Sequence, residues 1–207
     1  SSPGTGLALS NTSIETSGVG AYGILAGQSS HVFSSGSRIE TSGQNAYGVY
    51  AAAGEIHLTA DTIKTSGQNA DGMVVTGGTF AGRLTAEHIN VSTSGTDSFG
   101  LNVGGNARAI IVNSSIKTTG AGSWGVILDR GGVVDLWDSH VRTEGARAWG
   151  AYVSDGTLNI KGGSLVSAQH GAIHVGNRVL TRLVRDAVAQ LPLRCGPPFP
   201  ADHARAR

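Results

Sequence analysis

The sequence predicts an all-β chain wound as a parallel β-helix of about seven coils, and three observations predict it. Glycine supplies 32 of the 207 residues, about twice its usual ~7% share. It follows no three-residue period and only five prolines are present, which excludes a collagen triple helix. Strong helix formers are sparse while Ser, Thr, Val and Ile abound, so a helical bundle or helical solenoid is excluded as well. The third observation is internal repetition, which outranks element-by-element assignment wherever it occurs.

The segment Ile39 to Gly48 returns almost unchanged as Ile63 to Gly72. Weaker copies run from Ile14 to Gly23, Val91 to Gly100, Ile116 to Gly125 and Val141 to Gly150, with a degraded seventh at Leu165 to Gly171. The Thr of the first six copies stands at 16, 41, 65, 93, 118 and 143, giving steps of 25, 24, 28, 25 and 25. A second apolar pair precedes each copy, as in Leu7/Leu9, Ile56/Leu58, Val134/Leu136 and Leu158/Ile160. A third follows it, as in Ile24/Ala26, Val49/Ala51, Met73/Val75, Leu101/Val103, Val126/Leu128 and Ala151/Val153. A spacing of two within each pair is the strand period, with alternate residues facing inward.

Each unit of ~25 residues thus carries three short strands divided by Gly, Ser, Asn and Asp corners. A propeller blade needs ~40 residues, and a leucine-rich repeat needs a Leu/Asn frame that is missing here. In a parallel β-helix each copy is one coil, stacked at ~4.8 Å on the next, so seven coils make a rod on the order of 30 Å long. Glycine is required where the backbone turns with positive φ or packs closely on the coil above.

The repeat region spans 1–177 and holds 9 Lys+Arg against 12 Asp+Glu, a net of 9 − 12 = −3. The remainder, 178–207, holds 6 Arg and 2 Asp, a net of +4, with four of the five prolines and the single Cys. Apolar residues from Leu180 to Leu191 follow helical spacing, so a short helix over 180–191 is expected to cap the last coil. The overall charge of +1, without basic blocks and interleaved aromatics, predicts no nucleic-acid partner. No apolar run of ~18 residues exists to form a transmembrane helix.

Five of the eleven aromatics fall in one repeat position: Tyr22, Tyr47, Phe99, Trp124 and Trp149, with Asp71 in the sixth place. This column reads either as a ladder packing one corner or as a row of exposed ring faces able to contact a sugar or a protein. Asp71 within it implies that the position reaches solvent in at least one coil. A neighbouring column, Leu25, Tyr50, Val74, Asn102, Ile127 and Tyr152, has outward parity and is either an interaction strip or a sign of a bend. Asp135, Asp138 and His140 are close in sequence and resemble the carboxylate sets of glycosidases or calcium-dependent lyases. They read instead as solvated corner residues. The seven histidines form no zinc spacing, and neither a nucleophile elbow nor a phosphate loop occurs. No catalytic residue, cofactor or metal is therefore expected.

The recurring block hydrophobic-x-Thr-x-Gly-x-x-Ala-aromatic-Gly-hydrophobic, as in Ile39 to Val49 and Val141 to Ala151, resembles the pertactin-like passenger domains of Gram-negative autotransporters. The resemblance covers about residues 7–177. It implies a right-handed β-helix, monomeric and non-enzymatic, on the outer cell surface, acting in adhesion, host interaction or immune evasion. It also implies a host protein or glycan partner and an outer-membrane β-barrel translocator elsewhere in the precursor. Two alternatives stand beside this: a pectin-lyase-like enzyme on acidic polysaccharide, and a structural spacer within a larger passenger.

Overall fold

A computed structural model describes residues 5–176; the expected cap at 180–191 lies outside the described residues. Twenty-one strands form three parallel sheets of seven strands each. Every coil gives one strand to each sheet. Coil 1 is Thr5–Ser10, Ser13–Thr16 and Ile24–Ala26, and coil 2 is Ser30–Ser35, Arg38–Thr41 and Val49–Ala52. Coils 3 to 7 begin at residues 55, 83, 108, 132 and 156. The all-β, seven-coil β-helix is thus the fold of the described chain, with no helix in it.

Register follows the sequence columns. In the first sheet Val32 pairs Ile56, Ile56 pairs Leu84, and Val134 pairs Leu158. In the second, Ile14, Ile39, Ile63, Val91, Ile116 and Val141 stack in one row. The alternate side chains of all three sheets meet in one core along the rod, including Ile39, Ile63, Leu101 and Leu136. Leu7 is the exception, half exposed at the outer end of the described coils. Its column is otherwise inward as expected.

The glycines divide by mechanism. Gly43, Gly67, Gly95, Gly120 and Gly145 have ordinary φ, yet a Cβ on any of them would fall inside contact distance of the preceding coil's glycine carbonyl oxygen. In a second row, a Cβ on Gly48, Gly100 or Gly125 would strike Ile63, Ile116 or Val141 of the next coil. Close approach is what reserves these positions. Positive φ is carried mainly by other residues: the turn between the first and second strands has its left-handed residue at Asn11, Gly36, Ala60, His88, Asn113, Asp138 and Gly162. Such a conformation costs an L-residue roughly 1–2 kcal/mol unless its side chain is short and polar.

Threonine also has a specific task. Buried Thr41, Thr93 and Thr118 donate their hydroxyls to the carbonyls of Ala46, Ser98 and Ser123 at 2.7, 3.1 and 2.7 Å. Each closes the turn that follows its strand, which valine of the same shape would leave unsatisfied. A serine row does the same between coils. The Oγ atoms of Ser114, Ser139 and Ser164 accept the N–H groups of Ile89, Ser114 and Ser139 at 3.0–3.1 Å.

Candidate functional site

Both sequence columns lie on the outer face of the third sheet, where Val74 is nonetheless buried. Leu25, Tyr50, Val74, Asn102, Ile127 and Tyr152 pair in order across the coils, with His174 next to Tyr152. Their flanking residues are core, so the outward parity is real and no bend is needed. Tyr22, Tyr47, Phe99, Trp124 and Trp149 stand beside them, all half-buried.

The rings do not form one simple ladder. Tyr22 and Tyr47 stack at 5.2 Å, and Tyr50 meets both edge-on at 5.5 and 5.7 Å. A second stack runs Phe99, Trp124, Tyr152, His174 with centroid spacings of 5.2, 4.4 and 4.7 Å. It crosses from the first column to the second between coils 5 and 6. Trp149 leans against His170 and His174, each at 5.0 Å, and lies over Gly171, where a Cβ would collide with its ring. Stacking of this kind contributes roughly 0.5–1.5 kcal/mol per pair beyond the area buried.

Stacked rings cover one another's faces, as in the ladder reading of this column. One sequence expectation is corrected here: Asp71 is 4% exposed and does not reach solvent. Its Oδ1 accepts the Phe99 N–H at 2.7 Å and its Oδ2 accepts Asn102 Nδ2 at 3.0 Å. A polar rung at coils 3 and 4 thereby separates the three-tyrosine cluster from the larger one.

Asp135 is corrected as well, being 1% exposed rather than a solvated corner residue. It points away from the core on the first sheet, where Arg108 Nη2, Asn159 Nδ2 and Lys161 Nζ donate to it at 2.6, 2.8 and 3.2 Å. Lys161 also sits 4.4 Å over the Trp137 ring. Burial alone raises a carboxyl pKa; here the Asn159 and Lys161 hydrogen bonds and the Arg108 charge outweigh it, and the Asp135 pKa falls below its ordinary value. Asp138 and His140 are exposed. Asp138 accepts the Gly163 N–H at 2.7 Å, so the structure draws Asp135 and Asp138 to different partners.

Sequence reasoning missed two features. Asp61, 0% exposed, takes the place of a corner serine and accepts from Ser34 Oγ, Ser37 N and Thr59 N at 3.1, 2.6 and 3.2 Å. Among the described residues no cation pairs with it, and burial pushes its pKa up against those hydrogen bonds. The other is the turn 77–82, which joins coil 3 to coil 4 with six residues where the equivalent turns use two or three. The 28-residue step in the threonine row was its only sequence signal.

The second sheet carries exposed ion pairs, Glu40 with Lys64 at 3.5 Å and Glu144 with Lys117 and Arg142 at 3.0 and 2.9 Å. The Lys117 hydrogen bond, then the charges of Lys117 and Arg142, hold the Glu144 carboxyl below its usual pKa. Pairs of this exposure contribute little to stability. Among the described residues no three His, Cys, Asp or Glu side chains are grouped to hold a metal ion. No family model, curated protein or solved structure matches the chain.

Proposed function

We propose that the chain is a segment of an autotransporter-type passenger, displayed at the surface of a Gram-negative cell as a rigid rod for contact with a host protein or glycan. The observation that carries this reading is the rod itself: seven coils in continuous register on three sheets, with a half-buried aromatic and histidine strip along one outer face. A parallel β-helix with a core running its full length is stiff, because each coil is hydrogen-bonded to its neighbours through three strands. It holds its outer columns at fixed spacing. Aromatic side chains contribute heavily to protein contacts when one edge stays wet, which suits the strip to partner contact. The repeat block described above supports the passenger assignment.

The test is antibody labelling. Antibody against the folded chain is expected to label intact cells of the source bacterium, and protease added outside is expected to remove the signal. Labelling only after permeabilisation would sink the display reading.

A further inference from the structure

The long turn 77–82 does not lie flat. With Gly54, Glu55 and Arg83 behind it and Ser29, Ser30 and His31 at its side, it walls a concavity of about 250 Å³. That is just below the ~300–1,000 Å³ of ordinary small-molecule sites, the scale of one small ring rather than of a nucleotide or an extended polymer. Phe80 lies on its lining and is 54% exposed. Among the described aromatics, Phe80 has no ring or cation against it; every other one is stacked, edge-packed or covered by Lys161. Its ring plane is therefore available where those of the third-sheet strip are consumed.

The polar groups beside Phe80 are planar and of both kinds. Glu55 is fixed between two imidazoles, with His31 Nδ1 3.2 Å from Oε2 and His57 Nε2 3.1 Å from Oε1. Phe33 stacks on His57 at 4.9 Å and steadies that ring. Arg83, next to Glu55 in register, makes no ion pair among the described residues and leaves its guanidinium donors open. A carboxylate acceptor, a guanidinium donor and the His31 imidazole in one small concavity favour neither an anion nor a cation. They match a neutral ligand whose groups both donate and accept.

We infer that this concavity is a binding site for a single neutral hexopyranose unit, with the apolar C–H face of the sugar on Phe80 and its hydroxyls shared between Glu55 and Arg83. The inference rests on the display reading for its biological sense, since it supplies a ligand class for a displayed rod, but the site stands or falls by itself. It also lies away from the Trp149 end of the aromatic strip.

The experiment is an NMR titration of the ¹⁵N-labelled full chain with methyl glycosides of glucose, galactose and mannose. At least one is expected to shift the backbone amides of Gly78–Arg83 saturably, with a Kd on the order of millimolar. Phe80→Ala and Glu55→Gln are expected to weaken binding at least ~10-fold, which is ~1.4 kcal/mol, with unchanged melting curves. Leu165→Ala, an exposed change on the second sheet of coil 7, is expected to bind as the parent does. No saturable shift with any of the glycosides on the folded chain, or equal binding by Phe80→Ala, overturns the inference. Cell labelling with a flat titration removes the sugar site and leaves display standing; the converse removes display and leaves the site.

Discussion

The inside and the outside of this rod are built under different rules. Inside, several positions repeat from coil to coil: Ile or Val on the second sheet, a Thr whose hydroxyl closes the turn in coils 2, 4 and 5, and a Gly against the carbonyl of the coil before it. Where like stacks on like, a residue that fits in one coil fits in the next. Outside, the same backbone register carries unrelated chemistry from coil to coil, such as Ile110, Asp135 and Asn159 in one row of the first sheet. The two buried aspartates sharpen the contrast. Asp61 occupies the repeat's own corner row and is buried among neutral donors, whereas Asp135 is buried on an outer face by cations from the neighbouring coils. Equal burial has opposite electrostatic consequences because the partners differ.

The contrast is broken most severely by adding one carbon inside. Gly95→Ala places a Cβ against the Gly67 carbonyl oxygen, where backbone in two coils must move. It is expected to cost about 3 kcal/mol, read as a lowered denaturant midpoint. Gly78→Ala, whose Cβ meets nothing within 4 Å, is the control and should stay within ~0.5 kcal/mol of the parent. A glycine row whose role was flexibility would show the two substitutions as equals.

Asp135→Asn keeps the shape but removes the charge that Arg108 and Lys161 share. A loss of about 2 kcal/mol is expected at neutral pH, in the range of hydrogen bonds to charged groups. Since the folded-state pKa of Asp135 is depressed, its stabilisation is present above the unfolded value of about 3.9 and is lost as the pH falls through the lower folded value. The gap between parent and variant in denaturant titrations should therefore narrow below about pH 4. A gap that stays constant with pH would show that packing, not charge, is what Asp135 supplies.

Asp61→Ser has the smallest expected effect and the opposite sign. Serine restores the corner row and can still accept the Ser37 N–H, as Ser114, Ser139 and Ser164 accept theirs. The pKa of Asp61 is raised on folding, so its contribution is fully present below about pH 4 and declines as the pH rises through the folded value. Replacing it should remove that decline and stabilise the rod at neutral pH by about 1 kcal/mol, measured as stability against pH. A variant less stable at pH 7 than at pH 4, as the parent should be, would show that Asp61 is not the source of the slope.

Much of the fold was legible because repetition reports it directly: alternation placed Ile56/Leu58 and Leu101/Val103 inward, and the threonine steps counted the coils. The aromatic column was legible as a position but not as a geometry. Nothing in the spacing of Phe99, Trp124 and Tyr152 says that the stack leaves one column for the next, because ring orientation depends on neighbours two coils away. Asp71 and Asp135 each looked solvated from their sequence surroundings, since a carboxylate's donors, Asn102 for one and Arg108, Asn159 and Lys161 for the other, stand 24 to 31 residues distant.

The sequence by itself determined the coil, its period and which side chains face the core, because a parallel β-helix makes the local period of two and the coil period of ~25 visible in one dimension. Tertiary structure alone decided which glycines are reserved by contact, which carboxylates lie among cations, and where a concavity opens on the surface. Those depend on atoms that stacking brings within a few ångströms across a whole coil, and separation along the chain carries no record of them.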